Sequence, residues 1–258
     1  RGVMIMDKCS EIIPDYFSFV KGIVDSEDIA LNISRETLQS NHQIKLIEKN
    51  IENKIKKELE ELLHDEREKY EEFYKAFGMQ FKHGIYSSYG ANKDKLEDLL
   101  LFYSSKDEKY TTLSEYVSRM KEDQKEIYYA SGDSINNIKM IPQVEMVLDK
   151  GYEVLYLTEY LDEFVVKILN TYKDKTFKNV CDNEIDTLSE EEKEVIKKLN
   201  EDNKDMLEAV KNSLKDHVEE VKFTNKLKDH PVCLTSVGEL STSMEKIINS
   251  MPSEEGNV

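Results

Sequence analysis

The sequence predicts a mixed α/β (α+β) fold, rich in helix. Glycine (9) and proline (4) are scarce among 258 residues, which argues against an all-β fold and against long flexible linkers. Apolar residues recur at steps of three or four over a long stretch, Ile44, Ile47, Ile51, Ile55, Leu59, Leu62 and Leu63. Between residues 127 and 180, short apolar runs alternate with helical patterns, the order of a small parallel βαβαβ unit with right-handed crossovers.

Taken in order, residues 3–6 read as a short buried strand and residues 10–21 as a helix with Pro14 in its first turn. Residues 37–63 carry the long apolar stripe, and their Lys and Glu residues read as a solvated face. A second helix, 65–77, holds Tyr70, Phe73, Tyr74 and Phe77 and stops at Gly78. A third follows Asn92 as cap and buries Leu96, Leu99, Leu100 and Tyr103. Then come a short helix, 112–119, a strand, 127–130, and a helix, 134–150, disturbed at Pro142. Next are a strand, 153–158, a helix, 162–172, and a strand, 176–180. The turn after the first of these strands, Ser131-Gly132-Asp133-Ser134-Ile135, has a single glycine and no phosphate-loop pattern, so the unit reads as scaffold. Glu190, Glu191, Glu192 and Glu194 crowd the first turns of a further helix, where acids suit the dipole. A helix over 206–217, paired strands over 218–227 and 232–236, and a helix over 241–250 complete the reading.

The formal net charge of −17 disfavours nucleic acid and anionic membrane as main partners. Cys9, Cys181 and Cys233 are too few and too scattered for a disulfide framework or a zinc site and fit a reducing cytoplasm. His42, His64, His83, His217 and His230 show no metal-ligand spacing, and there is no signal peptide or membrane-spanning apolar run. The ends read as cut: the chain opens on Arg1-Gly2 and trails off in small polar residues after Pro252, as a piece of a longer protein.

No nucleophile–base–acid set stands out. The most informative stretch is Leu31-Asn32-Ile33-Ser34-Arg35-Glu36-Thr37-Leu38-Gln39-Ser40. Ser34 stands where an N-cap belongs, so Arg35 falls at the first helical position, where a cation opposes the helix dipole. Two explanations stay open. Arg35 is a surface residue paired with Glu27 and Asp28, or it waits for an anion such as phosphate beside free helix N–H groups, with Asn32 and Gln39 as neutral hydrogen-bonding groups. Leu240, Met244, Ile247 and Ile248 form an apolar, methionine-bearing stripe near the end of the chain. It either packs against further chain or offers loose contact to partners.

Gly22-Ile23-Val24-Asp25-Ser26-Glu27-Asp28 followed by Leu31-Asn32-Ile33-Ser34-Arg35-Glu36 resembles the middle segment of the heat-shock protein 90 chaperones, bacterial HtpG type. The likeness continues through Ile12-Ile13-Pro14-Asp15-Tyr16, Lys75-Ala76-Phe77-Gly78, the stretch from Arg119 to Tyr129, and Ser243-Met244-Glu245-Lys246-Ile247. It is weakest over residues 182–205.

The resemblance implies the end of a large αβα subdomain with the catalytic loop (1–64), a helical connector (65–104), a small α/β subdomain (105–185) and the start of a mixed α+β C-terminal domain (186–258). It implies an ATP-dependent, stress-induced chaperone of the cytoplasm. Arg35 and Gln39 act there in catalysis, and Asn32, Ser34 and Arg35 contact ATP held by an upstream domain of the same chain. Leu240, Met244 and Ile247 touch client proteins, although Leu240 stands where some relatives carry an aromatic residue. ATP and Mg belong to the full-length homodimer, and this stretch alone is a monomer with no ATP site and no turnover of its own. The rival is a stand-alone helical interaction scaffold with no link to ATP.

Overall fold

Two long helices form the frame of the first part of the chain: α1 (His42–Asp65) and α2 (Arg67–Ser87). The structure is a computed structural model that describes residues 9, 11–25, 42–122, 124–182, 190–214, 217–224, 231–233, 235, 244 and 248–249. The expected strand 3–6 and residues 37–41 lie outside these. The described residues divide into two units. One is drawn from residues 1–101, 110–115 and 164–169, the other from 102–109, 116–163 and 170–258.

In the first unit, α1 buries Ile44 and Leu59, while α2 buries Tyr70, Tyr74, Phe81 and Ile85. The outer face of α1 carries i,i+4 pairs, Lys56–Glu60 at 3.7 Å and Lys57–Glu61 at 3.4 Å, each worth a few tenths of a kcal/mol at most. Helix α2 does not stop at Gly78. It runs on through Gly78 and Gly84, because both glycines admit close neighbours. A Cβ on Gly78 would lie 2.7 Å from the Tyr74 ring, and one on Gly84 would lie 2.8 Å from Cβ of Tyr16. The turn is made later, at Gly90 (φ +85°), whose amide reaches Ile85 O at 2.9 Å.

Helix α3 (Lys93–Leu96) and a 3-10 turn (Glu97–Leu99) bury Leu96, Leu99 and Leu100 as expected, although Asn92 makes no side-chain cap bond. Tyr70 fixes this turn by donating to Leu99 O at 2.5 Å. Thr112 and Glu115 form a reciprocal capping box at the start of α4 (Leu113–Arg119). Thr112 N donates to Glu115 Oε2 at 2.8 Å, and Glu115 N donates to Thr112 Oγ1 at 3.1 Å.

The expected helix 10–21 is not formed. Residues 15–17 make one 3-10 turn after an extended Pro14, because Tyr16 and Phe17 are drawn into the aromatic face of α2.

The second unit is built on a mixed sheet. Strands β1 (Phe102–Ser104), β3 (Glu126–Ser131), β4 (Val154–Leu157), β5 (Thr171–Tyr172) and β6 (Lys175–Asn179) lie in the order β1-β4-β3-β6-β5. The two-residue strand β2 (Tyr110–Thr111) belongs to the first unit. The centre is parallel as expected: β3 pairs β4 with Tyr128 opposite Val154, and β6 with Glu126 opposite Thr176. Every residue of β4 is buried, as befits a strand covered on both faces.

Two antiparallel strands flank this centre, each formed by residues that the sequence placed in helices. Tyr103 is in β1, opposite Tyr156, and Tyr172 is in β5, opposite Lys175. Helix 134–150 is two helices, α5 (Ile135–Lys139) and α6 (Pro142–Asp149), with Pro142 at the start of the second. Helix α7 (Asp162–Leu169) ends before Asn170, which takes φ +60°. The core joins Tyr128, Ala130, Val154 and Tyr156 from the sheet to Ile138, Val144 and Val147 from α5 and α6.

Helices α8 (Glu190–Asp202) and α9 (Lys204–Leu214) follow. The described residues among the expected strands 218–227 and 232–236 form no strand. Phe223 is instead held by the Asn200 side chain, which accepts from Phe223 N at 2.7 Å and donates to its carbonyl at 3.3 Å.

Candidate functional site

Asn32, Ser34, Arg35 and Gln39 lie outside the described residues, as do Leu240 and Ile247. Of the apolar stripe near the end of the chain, Met244 is 4% exposed and Ile248 is 42% exposed. The described chain leaves off at Asp25 and resumes at His42, so the structure shows what holds both approaches to the stretch carrying Arg35.

The approach from the N-terminal side is seated on α2 through aromatic rings. Phe17 is fully buried, 4.9 Å from Tyr16 and 6.0 Å from Phe81 between ring centroids. Phe19 lies 5.0 Å from both Phe73 and Phe77. Edge-on and tilted contacts of this kind add to the area they bury, about 0.5–1.5 kcal/mol for each pair. Ser18 Oγ reaches Gln80 Oε1 at 3.3 Å. After Val20 the chain is exposed, with Ile23 at 97%.

The approach from the other side is α1. Its buried acid, Glu52, is 7% exposed and takes three hydrogen bonds. The Tyr16 hydroxyl donates to Oε1, and Lys95 Nζ donates to Oε1 at 2.8 Å and to Oε2 at 2.9 Å. Burial, and then the bond to Glu52, pushes the Tyr16 phenol well above its ordinary range, so it stays a donor at any physiological pH. Glu52 thus joins a residue before the Arg35 stretch, the helix after it, and α3.

Sequence reasoning placed Glu52 on a solvated face. Nothing in a single sequence separates it from Glu48, one turn earlier on the same helix.

In the second unit, two side-chain oxygens that follow the parallel strands cap the chain locally. Ser134 Oγ accepts from Asn137 N at 3.2 Å, and Asp162 Oδ2 accepts from Thr158 N at 3.1 Å and Glu159 N at 3.0 Å. A Cβ on Gly132 would lie 2.9 Å from Ile138, so this glycine serves packing.

A groove of about 480 Å³ runs along α8, α9 and residues 220–222. Its walls alternate Lys197, Lys204, Lys211 and Lys222 with Glu201, Glu208 and Glu220, which gives no field of one sign. Among the described residues no cluster of His, Cys, Asp and Glu is placed to hold a metal ion. Among them, too, no helix is long and apolar enough to cross a membrane.

A family model described as Hsp90 protein matches residues 1–257. The chain is 56% identical over 254 residues to the chaperone protein HtpG of Clostridium botulinum (strain Langeland), covering 98% of this chain and 41% of that protein. It is 56% identical over 256 residues to HtpG of Clostridium perfringens (strain 13), and 55% identical over 255 residues to HtpG of Bacillus subtilis (strain 168). In both cases the match covers 99% of this chain and 41% of the relative. The chain therefore spans about two fifths of the length of these relatives.

Proposed function

The chain belongs to the Hsp90 protein family, and from that premise we propose that it is the middle segment of an ATP-dependent chaperone. Its Arg35 acts on ATP bound by another domain of the same protein. The observation that carries this reading is identity of 56% over nearly the whole chain to HtpG chaperones, in a sequence that carries Asn32, Ser34, Arg35 and Gln39 in one short stretch.

Arg35 is the group to which the reading gives the main part in hydrolysis, with Gln39 beside it. As the γ-phosphoryl group leaves, charge spreads over its oxygens. A guanidinium stabilises that charge more than it stabilises bound ATP, and its planar fork reaches two oxygens at once. Asn32 and Ser34 contact phosphate beside it, and Gln39 steadies the arginine. Mg²⁺ accompanies the ATP as part of the substrate. The described residues offer no acidic cluster that would hold it.

The activity belongs to the complete, homodimeric protein in the cytoplasm, and this chain alone neither binds nor hydrolyses ATP. Leu240, Met244 and Ile247 contribute contact to client proteins. The domain division at residues 64, 104 and 185 follows the same reading.

The experiment is steady-state ATP hydrolysis by the nucleotide-binding domain alone and by the same domain joined to this chain. The joined protein is expected to turn over faster. Equal rates would make the chain a scaffold without ATP coupling.

A further inference from the structure

We draw no further inference here: the strongest candidate, the exposed apolar stripe of Val195 and Leu199 on α8 and of Met206, Val210 and Leu214 on α9, carries none, because nothing in the structure shows what covers it.

Discussion

Arg119 grips Glu153 through two hydrogen bonds, 3.1 Å from Nε to Oε2 and 2.6 Å from Nη2 to Oε1. The Glu153 side chain is only 8% exposed. Ser104 Oγ also donates to Oε1, and the Tyr116 hydroxyl donates to the Glu153 carbonyl at 2.7 Å. One acid at the mouth of β4 therefore holds the end of α4 and the antiparallel strand β1.

Glu153→Gln removes the charge and leaves Arg119 without its counter-ion in a half-buried place. The expected loss is about 1–3 kcal/mol of stability, and more for Glu153→Leu, which strands the Ser104 hydroxyl as well. Urea denaturation of this chain measures it. A change below about 0.5 kcal/mol for both variants would show that the network is only a surface pair.

Gly84→Ala sets two effects against each other. Alanine in a helix interior gains about 1 kcal/mol over glycine. The new Cβ would stand 2.8 Å from Cβ of Tyr16, an atom fixed to the backbone of a segment that is itself pinned by Phe17 and Phe19. Overpacking of this kind costs about 1–3 kcal/mol. The net expectation is destabilisation by roughly 1 kcal/mol, seen as a lower melting temperature. An alanine variant more stable than wild type would mean that the 15–17 turn can lift from α2 without loss.

The parallel centre of the second unit was legible because its strands are short runs buried on both sides. Ile127, Tyr128, Tyr129 and Ala130 are all buried, and no helix would need four consecutive apolar residues. The antiparallel strands β1 and β5 are too short to leave a periodic trace. For β5 a signal existed and was missed. Asn170 tolerates positive φ and ends α7, and Lys173 and Asp174 take φ +46° and +63° in the tight turn into β6. The helix expected at 10–21 failed for a tertiary reason: Tyr16, Phe17 and Phe19 have partners on α2 that local pattern cannot reveal. The importance of Arg35 came from resemblance, since local physics alone favoured a surface ion pair. Glu52 left no trace at all, because its burial depends on where Tyr16 and Lys95 arrive.

The Cys181 thiol is pushed up to about 12, first by burial and then by the negative charges of Asp182 and Glu163. It should resist alkylation in the folded chain at pH 8, because the thiolate is the nucleophile. Labelling with iodoacetamide should be at least about 100-fold slower than in urea. The raised value also has a sign for stability. Below the unfolded value near 9 both states keep the proton and the contribution is whole. As pH rises from there toward 12, the unfolded chain ionises first, and stability is lost. Equal labelling rates in folded and unfolded chain at pH 8 would show that the thiol is solvated.

Arg35→Ala in the complete protein is the sharpest test of the proposed function. If Arg35 stands at a helix start, as its neighbours predict, losing the cation should not harm folding and can slightly help it. Its proposed work is on the transition state, so nucleotide affinity should change little while turnover falls on the order of 10- to 1000-fold, or about 1.4–4 kcal/mol. Gln39→Ala should lower turnover in the same direction by less, since it acts through the arginine. Arg35→Lys should restore little, because an ammonium cannot grip two phosphate oxygens in one plane. Steady-state hydrolysis, nucleotide binding and thermal melts on the same preparations separate these outcomes. Full turnover in Arg35→Ala, or a loss that tracks unfolding, would remove Arg35 from catalysis. Full rescue by Arg35→Lys would reduce its part to that of a simple positive charge.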